Sequence, residues 1–428
     1  MTQVVTVTAS ETPPSGSCLD RWKLRNTHAI VTSIAIPFLV PLILINTAAG
    51  IDILLLPVFA RALHADQAVI GGIISARSIG QLASSSCMGW AVAAMGTSDS
   101  LVVGPLALAL SGVLGAWATS PTMLLGARFL NGLGFSVLFI ARTLFVAETI
   151  DPAQRGKVAA LVVGTTRFGA AVGPALAGLF AHRYGLRFGL YLTAVLNALG
   201  ALLFRCRNVK PLHTHLRRLS RCPPPEAPSG DVTALFPRAA MLLTVVSEGL
   251  AIARSAREIL LPLMATEVGM GEEAIGMVTS ISFTFDVAMI PVAGFVLDKY
   301  GRRAAAGPAL IIIALGFGLL SRVNLSNCSH PAWMLWAASI LIGCGNGLSN
   351  GWQQVVGADI APPASRAKFL GLWTFQYACG YAVGPLFVGV LAQRFALSVA
   401  CYATMGARAL TAWPTYLCVR AAPGHPTG

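Results

Sequence analysis

A chain of 428 residues, 55% hydrophobic and only 11% charged, with a mean hydropathy of +0.70, lacks the polar surface of a soluble globule, for which about 25% charged residues is usual. Its formal net charge is +13. No basic stretch alternates with aromatics as a nucleic-acid groove would, so nucleic acid is not an expected partner. The apolar residues come in blocks of about 20, enough for a helix to cross a hydrocarbon core roughly 30 Å thick and too long for barrel strands. The expected fold is an all-α polytopic membrane protein with the lipid bilayer as its surroundings.

Residues 1–28 are polar and read as a tail, with no removable signal peptide evident. Six spans follow at about 31–60, 70–94, 100–119, 122–147, 158–181 and 186–204, so that 29–204 forms one bundle. Residues 205–237 are a linker, basic at first and then running Cys222-Pro-Pro-Pro-Glu-Ala-Pro-Ser-Gly230, a composition suited to a flexible connector. A second bundle, 238–420, has spans at about 239–265, 275–297, 304–321, 333–358, 368–393 and 398–419, and 421–428 is a short tail. With the N-terminus taken as cytoplasmic, the interior segments collect most of the Lys and Arg, while the exterior ones hold Arg61, Arg183, Arg187, Arg322 and Arg394. This bias predicts that both termini are cytoplasmic. Asn324 and Asn327 open two glycosylation-type triplets in the sizeable exterior loop at 322–332.

The bundles repeat one another. Asp151-Pro-Ala-Gln-Arg155 and Gly169-Ala-Ala-Val-Gly173-Pro174 match Pro362-Pro-Ala-Ser-Arg366 and Gly380-Tyr-Ala-Val-Gly384-Pro385 at a constant offset of 211. Earlier positions match at an offset of 205. Such repeats predict twelve spans in two pseudo-symmetric halves, with a substrate site near the midplane between them.

Charges inside spans are functional candidates, because a bare charge in hydrocarbon is costly. At about 1.5 Å per helical residue, Asp52, Arg77 and Arg128 lie at similar depth in the outer part of the first half. Asp52 is expected to pair with Arg77 or Arg128, a bond that protonation would break. In the second half Arg254 and Glu258 are four apart on one helix face and able to neutralise each other. Asp286 is the acid left for Arg257, which stands where Asp52 stands in the first half. Arg167 has no acid on its own helix. Arginines outnumber acids in the spans, so an anionic substrate anchored by Arg167 or Arg257 is an open alternative. Asn350, Gln353, Gln376 and Tyr377 add polar lining if they face inward.

Three motifs carry a resemblance. Gly294-Phe-Val-Leu-Asp298-Lys-Tyr-Gly301-Arg302-Arg303 follows the eighth span, and its first-half counterpart keeps Gly89 and Gly96 but has Ala93, Thr97 and Ser98 in place of the acid and basic pair. Arg128-Phe-Leu-Asn-Gly132-Leu-Gly134 lies in the fourth span, and Gly169, Gly173, Pro174 and Gly178 lie in the fifth. Together they resemble the major facilitator superfamily over most of residues 30–420, and in particular its twelve-span drug:proton antiporters. The resemblance implies a secondary active transporter, not an enzyme, that works by alternating access on a proton gradient without a cofactor, as a monomer. It associates the arginine of the fourth-span motif, Arg128, with proton coupling, a role that the reading of charges inside the spans extends to Asp52, Arg77 and Asp286. Arg167, Arg254, Arg257, Glu258, Asn350, Gln376 and Tyr377 become candidates for the substrate cavity. The glycine and proline motifs, including Gly380, Gly384 and Pro385, become candidates for conformational elements. The expected activity is proton-coupled efflux of small amphipathic compounds. An organic-anion or metabolite symporter or uniporter is the alternative, as is a transport-incompetent receptor or scaffold, given the degenerate first loop. No Gly-x-x-x-x-Gly-Lys-[Ser/Thr] phosphate loop is present, so direct ATP drive is not supported.

Overall fold

A computed structural model describes residues 35–150, 155–206, 238–323, 331–361 and 366–406. Both termini, nearly all of the linker, Asn324, Asn327 and Arg408 lie outside the described residues. Among the described residues the chain is helical throughout. In the first half, a π-helical turn at Ala35–Leu39 leads into α1 (Val40–Ala62), followed by α2 (Gln67–Met95), α3 (Thr97–Ala116), α4 (Pro121–Thr149), α5 (Arg155–Tyr184) and α6 (Leu186–Cys206). The second half has α7 (Arg238–Glu267), α8 (Glu272–Ala288), α9 (Ile290–Lys299), α10 (Gly301–Arg322), α11 (Pro331–Leu348), α12 (Trp352–Ile360) and α13 (Arg366–Arg394), then α14 (Leu397–Gly406). Among the described residues, fourteen helices make twelve spans, because the eighth and tenth spans are each in two pieces.

Local chemistry sets the joints. At the start of α4 the Ser120 hydroxyl accepts the Met123 amide at 3.3 Å, with proline in the first turn, where its missing N–H costs nothing. The α8–α9 break falls at Met289, just before Pro291, which cannot donate into the preceding turn. The α11–α12 break ends at Gly351, whose φ of 81° is left-handed. The two breaks touch: a side chain at Gly347 would collide with the Asp286 carbonyl and the Met289 side chain. Interrupted backbone at membrane depth is tolerated where protein surrounds it, and Asp286, Asn346 and Asn350 beside it are buried.

Helix faces divide by environment. On α6, Asn197, Gly200, Ala201 and Phe204 are buried, while Val195, Leu199 and Leu202 point outward, the stripe a lipid-facing helix needs. Large exposed aromatics sit near helix ends: Trp117, Tyr184, Trp333 and Phe395 toward one side of the bundle, Trp90 and Tyr300 toward the other. Such belts mark the membrane–water interfaces.

The halves meet along α2–α13, α5–α8 and α1–α7. Two of these seams are copies of one another. A Cβ at Gly71 would strike the Pro385 carbonyl oxygen, and one at Gly276 would strike that of Pro174. Likewise Gly389 lies against the Gln67 carbonyl, and Gly178 against that of Glu272. The Gly-Pro-x-x-x-Gly motif of each half is therefore the surface that receives the other half, at the end carrying the α1–α2 and α7–α8 turns. Within the first half, Gly169 and Gly173 press on Asn46 and Gly50 of α1. The corresponding Gly380 and Gly384 press on α7, at Ala251, Ile252 and Ser255. Small residues let these backbones approach.

Candidate functional site

In the first half, Gly80 and Gly132 bring α2 and α4 into backbone contact, since a Cβ at Gly132 would collide with the Arg77 carbonyl. That approach carries two guanidinium groups toward α1. Arg128 donates from Nη1 to Asp52 Oδ2 at 2.8 Å, with both side chains nearly enclosed. Arg77 takes another course, its guanidinium lying 4.4 Å from the centre of the Phe135 ring. Of the two partners considered for Asp52, Arg128 is the one in contact, and Arg77 adds its field from nearby.

In the second half the charges gather on Asp286. Arg257 reaches its Oδ2 from Nη2 at 3.0 Å, and Arg167, from the other half, reaches the same oxygen from Nη1 at 3.4 Å. Asn350 donates to Oδ1 at 2.5 Å and accepts from Arg167 Nη2 at 2.8 Å. The α11–α12 break is what turns Asn350 toward α8. Arg257 also stacks 3.9 Å from the centre of the Phe283 ring. The network spans α5, α7, α8 and the tenth span, and it ties the two halves together at mid-depth.

The i, i+4 reading of Arg254 with Glu258 needs correction. Arg254 turns away, donating to Tyr377 Oη at 3.0 Å, Ser349 Oγ at 2.9 Å and the Asn346 carbonyl at 3.3 Å. Helical spacing made the pair possible, but the interrupted tenth span supplies Arg254 with three oxygens at once. Glu258 faces a cavity of about 280 Å³ between the halves, with Arg77, Arg128, Phe135, Tyr377 and Tyr381 among its walls. A smaller cleft continues from it to Asp52. Among the described residues Glu258 accepts no hydrogen bond; the positive charges acting on it are Arg257, Arg77 and Arg128.

The two arginines weighed as anion anchors, Arg167 and Arg257, are thus both committed to Asp286, whereas Arg77 reaches the cavity without a carboxylate at ion-pair distance among the described residues. Both polar atoms of the Gln376 side chain are buried without a partner among the described residues, and the Gln353 backbone carbonyl accepts from Trp373 Nε1 at 2.9 Å. Gly294 has open space around it, and Gly301 opens α10; the side chains of Asp298, Arg302 and Arg303 lie outside the described residues. In the degenerate first loop, the Thr97 hydroxyl donates to Glu148 at 3.2 Å, joining α3 to α4. Phe135, Tyr381 and Gln81, which also line the cavity, did not stand out in the sequence. Gln81 is four residues after Arg77 and Tyr381 four after Tyr377, a spacing that puts each pair on one face. No cluster of His, Cys, Asp and Glu able to hold a metal ion occurs among the described residues.

A sequence profile described as Major Facilitator Superfamily matches residues 38–253 and 249–427. The chain belongs to the major facilitator superfamily. Its two six-helix halves are the fold of that family, whose members are membrane carriers and not enzymes. Among curated relatives, the multidrug resistance protein MdtL of Salmonella typhimurium is 26% identical over 330 residues, covering 74% of this chain and 78% of the relative. The protein of that name from Salmonella heidelberg is 28% identical over 279 residues, covering 61% and 69%. Solved structures agree in fold. The nucleoside transporter NupG superposes with a TM-score of 0.70 at 16% identity, over 90% of this chain and 99% of that one. A D-xylose-proton symporter superposes with a TM-score of 0.67 at 15% identity, over 90% and 97%. As a member of this superfamily the chain is a multi-pass membrane transporter of small molecules.

Proposed function

We propose that this superfamily member exchanges protons for small amphipathic compounds and exports them across the cell membrane, with both termini cytoplasmic. The observation that carries the reading is the buried Asp52–Arg128 pair at the edge of the cavity between the halves. A proton placed on Asp52 Oδ2 removes the charge that holds Arg128 Nη1. Arg128 also lines the main cavity, so its freed charge would act on Glu258 of the opposite half. Proton binding in one half thereby changes the attraction between halves, which alternating access requires. The relationship to proteins named for multidrug resistance supports the substrate class. On the charge bias of the loops, the end sealed by Gly71–Pro385 and Gly276–Pro174 is the outer one, and the described state is closed to the outside. The proton gradient is the energy source, no cofactor takes part, and the working unit is a monomer.

Proteoliposomes under an imposed pH gradient test the reading with a panel of lipophilic cations and organic anions. Cation uptake into acid-interior vesicles, lost in Asp52→Asn, is the expected result. Anion flux that ignores Asp52→Asn would instead establish an organic-anion carrier, the second reading, which the unpaired guanidinium of Arg77 in the cavity favours. No flux of any compound from folded protein would point to a receptor or scaffold.

A further inference from the structure

The chemistry of the cavity narrows the substrate class. Around the centre, Asp52 is taken by Arg128, and Asp286 by Arg257 and Arg167. Arg254 is satisfied by Tyr377, Ser349 and a carbonyl. Two charged side chains that line the cavity remain without an ion-pair or hydrogen-bond partner among the described residues: Arg77 on α2 and Glu258 on α7. They belong to opposite halves, and although each lies in the other's field they do not form an ion pair.

Resting on the transport reading above, we propose that the cavity is a zwitterion site: Arg77 receives an anionic group of the substrate, Glu258 receives its ammonium, and Phe135 and Tyr381 flank the apolar body. A charge desolvated in such a site is costly unless paired, so a ligand carrying both signs gives direct partners to two protein charges that otherwise have only the fields of neighbouring charges. Arg77 already lies over the Phe135 ring, 4.4 Å from its centre, and a guanidinium has N–H groups enough to meet a carboxylate bidentately as well. A volume of about 280 Å³ is at the small end of ligand pockets, which run to about 1,000 Å³, so the compound is small. Because the two anchors sit on different halves, this ligand bridges the seam that must open and close.

Equilibrium binding to the full-length protein in nanodiscs tests the site with three probes on one aromatic scaffold, bearing an amine, a carboxylate, or both. The zwitterion is expected to bind at least tenfold more tightly than either singly charged probe. Arg77→Gln should erase its advantage over the amine, and Glu258→Gln its advantage over the carboxylate, with each variant still retained as a folded monodisperse species. Equal binding of all three probes, preference for a singly charged one, or a charge preference untouched by both variants would overturn the proposal. Because binding is read without a gradient, a zwitterion preference without proton-coupled flux would sink the antiport reading and leave the site standing. Proton-coupled flux of a lipophilic cation without that preference would do the reverse.

Discussion

Replacing Asp52 by Asn removes the one carboxylate that Arg128 touches, and the surroundings set the size of the effect. The pair is 2.8 Å long, with side chains only 7% and 12% exposed. Breaking a pair buried to this degree costs about 3–5 kcal/mol, because a charge is left uncompensated. Asn retains an oxygen for one guanidinium N–H, which places Asp52→Asn near about 3 kcal/mol. Arg128→Gln should cost less, about 1–3 kcal/mol, since the field of Arg77 still reaches Asp52, whereas Asp52→Asn leaves the like charges of Arg128 and Arg77 acting on each other. The double variant should lose about 1–3 kcal/mol less than the sum of the single losses. Unfolding in mixed micelles followed by tryptophan fluorescence measures all four proteins. If Asp52→Asn is no less stable than Arg128→Gln, or the coupling is below about 0.5 kcal/mol, the carboxylate is not charged in the resting protein and the coupling scheme fails with it.

Gly173→Ala puts a methyl group 2.5 Å from the Gly50 Cα, so α1 and α5 must part; a loss of about 1–3 kcal/mol should appear as a lower unfolding midpoint, whereas Gly164→Ala, with open space, should leave it in place. Gly351→Ala forces a side chain into φ 81° and should cost about 1–2 kcal/mol, read by the same assay. Tyr377→Phe removes one of three bonds to Arg254, a loss of about 1.5–3 kcal/mol for a bond to a charged group, and should weaken ligand binding measured by calorimetry. Arg167→Gln takes away the mid-depth ion pair between halves while Asp286 keeps Arg257 and Asn350. Spin labels placed across the seam should report a broader distance distribution, and an unchanged one would show that this ion pair does not hold the halves together.

Much of the architecture was legible because the bilayer imposes a length on every span and the two halves repeat. Even the Asp52–Arg128 contact could be anticipated, since depth along a helix is arithmetic and both residues fall at one level. Pairing across halves could not. Arg167 has no acid on its own helix, and Asp286 is brought to it only by the docking of α5 on α8. Arg254 and Glu258 failed as a pair for a related reason: a four-residue spacing makes contact available, while competing oxygens on the interrupted tenth span decide whether it forms. The breaks at Met289 and Gly351 left signs in Pro291 and Gly351, yet prolines elsewhere, such as Pro57 and Pro262, sit inside unbroken helices. The difference lies in what packs alongside, since the two breaks accommodate each other through Gly347.

Those adjacent breaks occur in one half, while the corresponding spans of the other, α2 and α4, run uninterrupted. Bending a continuous helix sacrifices hydrogen bonds, whereas a helix already interrupted has surrendered them. Deformation during a transport cycle should therefore concentrate in the second half, with the first moving as a stiff lever. A molecule wedged against Met289 and Gly351 would freeze the carrier without entering its cavity, making that joint a place where inhibition need not compete with cargo.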